Sequence, residues 1–337
     1  MRRFTYCLTL LLPFLLRPAP SFAAETKWIH ATSEHFDMYT AESEGDAKAA
    51  LQHLEAVRAY FLASTHSKDP GGQPVRIVAF HTEGDYSKYR PSEVGSARAY
   101  AVVGALPATI AVAGLKPAMY EQIFREYGQL VMDEYSPSLP YWLRAGLADL
   151  YSTLKPGENQ IQLGIPPLRD YRSSGIADLD LSLMFDIDRA GLLAARKKQG
   201  EDLYSDTDTK STNAAFGAAN GTRTTALAQN LSVTGQDYVA GVWTLTHMIM
   251  FQPDYRPKFG EFVGALGSGQ PTGAVFSKVY GRSIGQVTYD LKLYAKRPSF
   301  SSANLPFKQE KSPAPQIRPA TKEDQDRIFA DLSRKTK

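Results

Sequence analysis

The chain has 337 residues, with 38 basic and 35 acidic side chains, six histidines and one cysteine. That length suffices for one large domain or two small ones, and 43% hydrophobic residues can bury a core. Arg2, Arg3, Arg17 and Cys7 all fall in the first 23 residues; without them 35 basic residues balance 35 acidic ones and no thiol remains. That balance excludes an electrostatic case for nucleic acid or an acidic membrane surface as partner. It also excludes disulfides, cysteine-ligated metal and a thiol nucleophile.

The first residues read as a secretory signal. Arg2 and Arg3 form the positive start, Leu8 to Leu16 an apolar run broken by Pro13, and Ser21-Phe22-Ala23 a small-x-small cleavage site. The run is about half the roughly 20 apolar residues of a spanning helix, and no later segment is long and apolar enough to cross a membrane. Residues 1–23 are therefore expected to be a signal peptide, and the protein to be secreted or periplasmic.

Residues 27–31 and 35–40 alternate apolar and polar, which predicts two half-buried strands. Over 44–63 the spacing of Ala47, Leu51, Leu54, Val57 and Phe61 predicts a helix. Residues 74–80 read as a strand, and 100–104 with 109–113 as a hairpin. An N-terminal α/β part is thus expected over 24–115. From Pro117 the pattern turns helical, with Tyr120, Ile123, Phe124, Tyr127, Leu130 and Val131 on one side of a helix over 117–134. Pro137 and Pro140 mark a break. A second helix over 140–154 carries the stripe Leu143, Leu147, Leu150 and Leu154. These two helices occupy a segment assigned to 116–155.

Residues 156–297 read as a helical C-terminal subdomain, with a short strand at 160–163 and helices at 236–251, 254–266, 272–280 and 283–296. Within it, 200–233 is rich in Ser, Thr, Asn, Asp and Gly and reads as a mobile insertion. Residues 298–337 form a Pro-, Ser- and Lys-rich tail. Its first part, 298–320, is expected to be a linker, and Ile328, Phe329 and Leu332 mark a short closing amphipathic helix.

The most informative stretch is Phe124-Arg-Glu-Tyr-Gly-Gln-Leu-Val131, followed by Leu139-Pro-Tyr-Trp-Leu-Arg-Ala-Gly-Leu-Ala-Asp-Leu-Tyr-Ser152. It resembles the peptidase-MA-like branch of the gluzincin zinc peptidases. There a helix with His-Glu-x-x-His precedes a helix with a Pro-x-Trp-x-x-Glu-Gly-x-Ala pattern. Trp28 to Phe36, Val75 to Tyr89, Val239 to His247 and Asp290 to Arg297 are similar to further segments of that family, so the resemblance covers roughly residues 27–297. It implies an α+β, zincin-like fold: a small mixed sheet with helices, the active-site-type helix pair, and a helical subdomain forming the other cleft wall.

The chemistry of that motif is specific. Two histidines at i and i+4 share a helical face and bind one Zn²⁺; the glutamate between them polarises the attacking water, and a glutamate on the next helix is the third ligand. By the resemblance, the ligand positions here are Arg125, Gln129 and Ala145. An arginine has no free lone pair, an alanine no donor atom, and a glutamine only a neutral carbonyl. Glu126 stands at the general-base position. Asp149 stands where the family keeps an acidic residue behind its first ligand histidine. His247 matches a family histidine and reads as a satisfied core or cleft-lining residue. No metal or cofactor is expected.

Without zinc, water activation loses its main source: the metal lowers the pKa of bound water from about 15.7 to about 7. The expectation is a non-catalytic pseudopeptidase, of bacterial type, that binds a peptide or protein of the cell envelope through the relic cleft. A hydrolase of altered mechanism using Glu126 and a purely structural envelope domain are the alternatives. In the expected site the Arg125 guanidinium takes the former metal space and pairs with Asp149 or Glu126. Read without the flanking match, Gln122, Arg125, Glu126, Gln129 and Asp133 are one polar, solvated helical stripe. Ser152-Thr-Leu-Lys155 spells S-x-x-K, but its companion motifs are missing.

Overall fold

The structure, a computed structural model, describes residues 27–65, 73–91, 98–102, 107–167, 179–188, 235–308 and 312–334. The expected signal peptide and the expected insertion at 200–233 lie outside them.

In chain order the described elements begin with β1 (Ile29–Thr32), β2 (Phe36–Thr40), α1 (Glu44–Thr65), β3 (Val75–Ala79), α2 (Glu83–Ser87), β4 (Ala99–Val102) and β5 (Thr109–Val112). The helix pair follows, α3 (Pro117–Tyr135) and α4 (Tyr141–Ser152), then β6 (Lys155–Pro156) and β7 (Gln160–Leu163). The helical part comprises α5 (Leu181–Asp186), α6 (Gly235–Phe251), a 3₁₀ turn at Arg256–Lys258, α7 (Phe259–Gly267), α8 (Thr272–Val275) leading into a π turn at Phe276–Tyr280, and α9 (Ile284–Ala295). The chain closes with β8 (Ala303–Pro306), β9 (Gln316–Pro319) and α10 (Lys322–Arg334). The architecture is mixed α+β, and among the described residues no helix is long and apolar enough to cross a membrane.

Six strands form the main sheet in the order β4-β5-β3-β2-β1-β9, and β6-β7-β8 form a small second sheet. The expected hairpin is present: β4 runs antiparallel to β5 with Ala101 opposite Ile110. The core of the sheet, β2-β3-β5, is parallel. Side chains alternate across a strand, and each strand here feeds two cores. Met38, Ile77, Ala101 and Ile110 face the main core with α1 and α3, whereas Tyr39, Val78, Tyr100 and Ala111 face a second cluster. Trp28, Phe80 and Tyr86 join that cluster, and Ile328 and Leu332 of α10 bury into it.

This corrects the expectation for the tail. The 298–320 stretch is no linker: β8 pairs with β7, and β9 pairs antiparallel with β1, Ala31 opposite Ile317. The strands expected to be half-buried are covered on their second face by α10. Polar ties reinforce that cover. Arg76 of β3 donates to Asp37 of β2 (3.3 Å) and to Asp331 of α10 (3.2 Å), and Arg327 donates to the Tyr39 hydroxyl (3.1 Å).

Candidate functional site

Helix α4 is held between two neighbours by small residues. A Cβ built on Gly128 of α3 would stand 3.4 Å from Ala148 of α4, in ordinary contact. On the other side, a Cβ on Gly146 would stand 2.1 Å from the Thr246 hydroxyl and 3.1 Å from the Val242 carbonyl of α6. Only glycine permits that approach. Trp142 anchors the start of α4: its indole N–H donates to the Thr272 hydroxyl at 3.3 Å, and its ring packs on Phe185 and Phe262. The Trp-Leu-x-x-Gly-Leu-Ala frame is thus accounted for by helix packing.

Across this seam lies the charged pair. Arg125 Nε of α3 stands 2.6 Å from Asp149 Oδ1 of α4, with side chains 6% and 2% exposed. Gln129 lies one helical turn beyond Arg125, and Ala145 one turn before Asp149, so the four positions border one seam. A second ion pair, Asp133 with Arg144, joins the same two helices. Glu126 faces elsewhere: fully buried, it accepts the Ala101 backbone N–H of β4 at 3.0 Å. Arg125, Glu126 and Gln129 are all buried, whereas Gln122 and Asp133 are half-buried. The solvated-stripe reading of α3 is therefore incorrect, because the sheet and α4 take that face out of water.

Zinc does not fit this residue set. The positions that carry ligands in the resembled family hold a guanidinium, a carboxamide and a methyl group, and the guanidinium is itself a cation pressed against Asp149. Among the described residues no group of three or more His, Cys, Asp or Glu comes together as a metal-binding cluster. Glu126, closed off from solvent and bonded to strand backbone, has the environment of a structural acceptor.

His247, the Ser152–Lys155 stretch and other polar groups of the chain are spread apart. His247 is fully buried on α6 within Trp243, Phe251, Tyr294 and Phe300. Its Nε2–H donates to the carbonyls of Gly164 (3.1 Å) and Ser301 (3.0 Å), while the Tyr294 hydroxyl donates to Nδ1 at 2.7 Å. It ties α6 to α9 and to the segment before β8, as a satisfied core histidine. Tyr238 turns its hydroxyl to the Met184 carbonyl (3.5 Å). Ser152 donates to the Asp149 carbonyl (2.7 Å) while Lys155 is exposed, so S-x-x-K forms no site. His30 pairs with Asp37 and His35 with Glu55, on opposite sides of the β1–β2 turn.

His247 makes stability depend on pH. Burial lowers its pKa from 6.5 to about 4, outweighing the two backbone carbonyls that oppose the shift. The unfolded chain takes up this proton near pH 6.5 and the folded chain only near 4. Its contribution is therefore complete above about pH 6.5 and lost as pH falls towards 4, about 3 kcal/mol in all. His53, lowered to about 4 by burial, acts in the same direction. Urea denaturation at pH 7 and pH 4.5 should show this loss, with a shallower pH slope in His247→Gln. Identical slopes would mean that the imidazole does not titrate between the two states.

No protein-family model matches the chain, and no curated protein does either. The likeness to gluzincins stands on the motif residues alone. Sequence reasoning missed the role of Glu126 as an acceptor for β4, since a backbone donor leaves no mark in composition. It also missed β8, β9 and α5, short elements with weak periodicity.

Proposed function

We propose that this chain is an exported, non-catalytic, peptidase-like protein of zincin-like fold, which binds a peptide or protein of the cell envelope. One observation carries the reading: a buried guanidinium, Arg125, paired with Asp149 at 2.6 Å, at the position of the family's first ligand histidine. The family's acidic residue there orients an imidazole through its far ring nitrogen. Here the same carboxylate holds a permanent cation, so positive charge is kept while metal chemistry is lost. The basic start and short apolar run of residues 1–23 support export.

A hydrolase acting through Glu126 is disfavoured by that carboxylate's complete burial and its bond to Ala101 N–H. The test is reconstruction. The triple variant Arg125→His, Gln129→His, Ala145→Glu is expected to bind Zn²⁺ with micromolar or tighter affinity by calorimetry, while the parent does not. If a folded triple variant gains no zinc affinity, the helix pair does not keep zincin spacing and the reading fails. Peptide-library binding by the parent, without cleavage, is the expected companion result; cleavage would overturn the non-catalytic half of the proposal.

A further inference from the structure

Away from the α3–α4 seam, a cavity of about 240 Å³ opens where the N-terminal part, the small sheet and the C-terminal helices meet. Its walls come from distant parts of the chain: Tyr60 of α1, Tyr151 of α4, Phe251 of α6, Phe259 of α7 and Leu305 of β8. Junctions between subdomains are frequent ligand sites. The cavity owes one wall to β8, part of the stretch that composition marks as a linker.

The lining has one distinctive feature. Among the described residues it carries a single charged side chain, Arg256, and no acid. Arg256 is exposed in the 3₁₀ turn after α6, and among the described residues no ion pair or side-chain hydrogen bond engages it. Other arginines of this chain are tied to carboxylates, as in Arg76–Asp37, Arg318–Asp324 and Arg282–Asp290. A guanidinium is a permanent cation whose fork matches a carboxylate. Below it the surfaces are aromatic and aliphatic, with the Tyr60 and Tyr151 rings 6.1 Å apart.

Size narrows the occupant. A dry apolar cavity of about 150 Å³ accommodates benzene, so 240 Å³ holds one ring with a short chain. It is too small for most drug-sized ligands, whose pockets start at about 300 Å³. We infer that this cavity binds an apolar residue ending in a carboxylate, with Arg256 holding the carboxylate and the aromatic walls the side group. Two sources offer that chemistry, a free arylalkanoic or branched-chain acid and the C-terminal residue of a peptide. The inference is independent of the zincin-like reading and survives its failure.

The probes are 3-phenylpropionate and its amide, and N-acetyl-Ala-Phe with a free or an amidated C-terminus, measured by ligand-observed NMR on the full chain and on Arg256→Gln. Arg256 is exposed and unbonded, so its replacement leaves the fold intact. Binding of a free acid is expected with a dissociation constant on the order of 1 mM. The matching amide should bind about tenfold more weakly, and Arg256→Gln should erase that difference. Saturation by both acids, or by the peptide acid alone, assigns the site to peptide C-termini; saturation by phenylpropionate alone assigns it to small free acids. No saturation by about 10 mM with either acid, equal binding of acid and amide, or binding untouched by Arg256→Gln would overturn the inference.

Discussion

Arg125→Ala is expected to destabilise the protein by about 3–5 kcal/mol, because removing one member of a buried ion pair leaves the other uncompensated. The partner left behind is Asp149, 1% exposed in the packed α3–α4 seam. Replacing both members by apolar residues of similar volume, Arg125→Met with Asp149→Leu, should restore most of the loss, since neither charge is then stranded. Chemical denaturation of the single and double variants reads both effects. An unchanged midpoint for Arg125→Ala would show that the pair is exchanged with water, and would remove the central support for the proposed function.

The double variant Ile328→Ala/Leu332→Ala is expected to cost about 4 kcal/mol or more, from two large-to-small changes of about 2–5 kcal/mol each. Both side chains are almost fully buried on α10, in one cluster with Val78 of β3 and with Trp28 and Phe80 at strand ends. Phe329 lies between them in sequence and stacks edge-on against Trp28, with centroids 5.1 Å apart. Removing residues 312–337 altogether would strip β9 from β1 and bare that apolar face, so a soluble, monomeric product is not expected. A true linker and solvent-facing helix would tolerate both changes. Wild-type thermal stability in either would contradict the sheet pairing of the C-terminus.

The helices were legible because their information is local. In α1, α3 and α4 apolar residues recur every three or four positions, and that spacing decides which face is buried whatever the partner. Leu51, Leu54, Ile123, Phe124, Leu143 and Leu150 are all buried as their spacing predicts. The strand at 75–79 and the hairpin at 99–112 were legible for the same reason, as apolar runs bounded by turn residues. For Arg125 the motif led to two expected partners, Asp149 or Glu126, and the structure sets its guanidinium against Asp149.

Pairing between remote segments has no local signature, and there the tertiary structure decided. Gln316–Pro319 is four residues of mixed polarity after a proline-rich stretch, and only its register against Ile29–Thr32 makes it a strand. The polar face of α3 has the composition of a solvated stripe; burial under β4 and α4 turned it into an interior. Composition also leaves open which partner a glutamate takes, and it was a strand N–H, at Ala101, that engaged Glu126. By itself the sequence determined the long helices, and it has Arg125, Gln129 and Ala145 at the positions where the resembled family carries its ligands. The second face of the sheet and the cavity beside Arg256 came from contacts between segments more than two hundred residues apart, which no window of local pattern contains, and the burial of the Arg125–Asp149 pair came from the packing of α3 against α4 and the sheet.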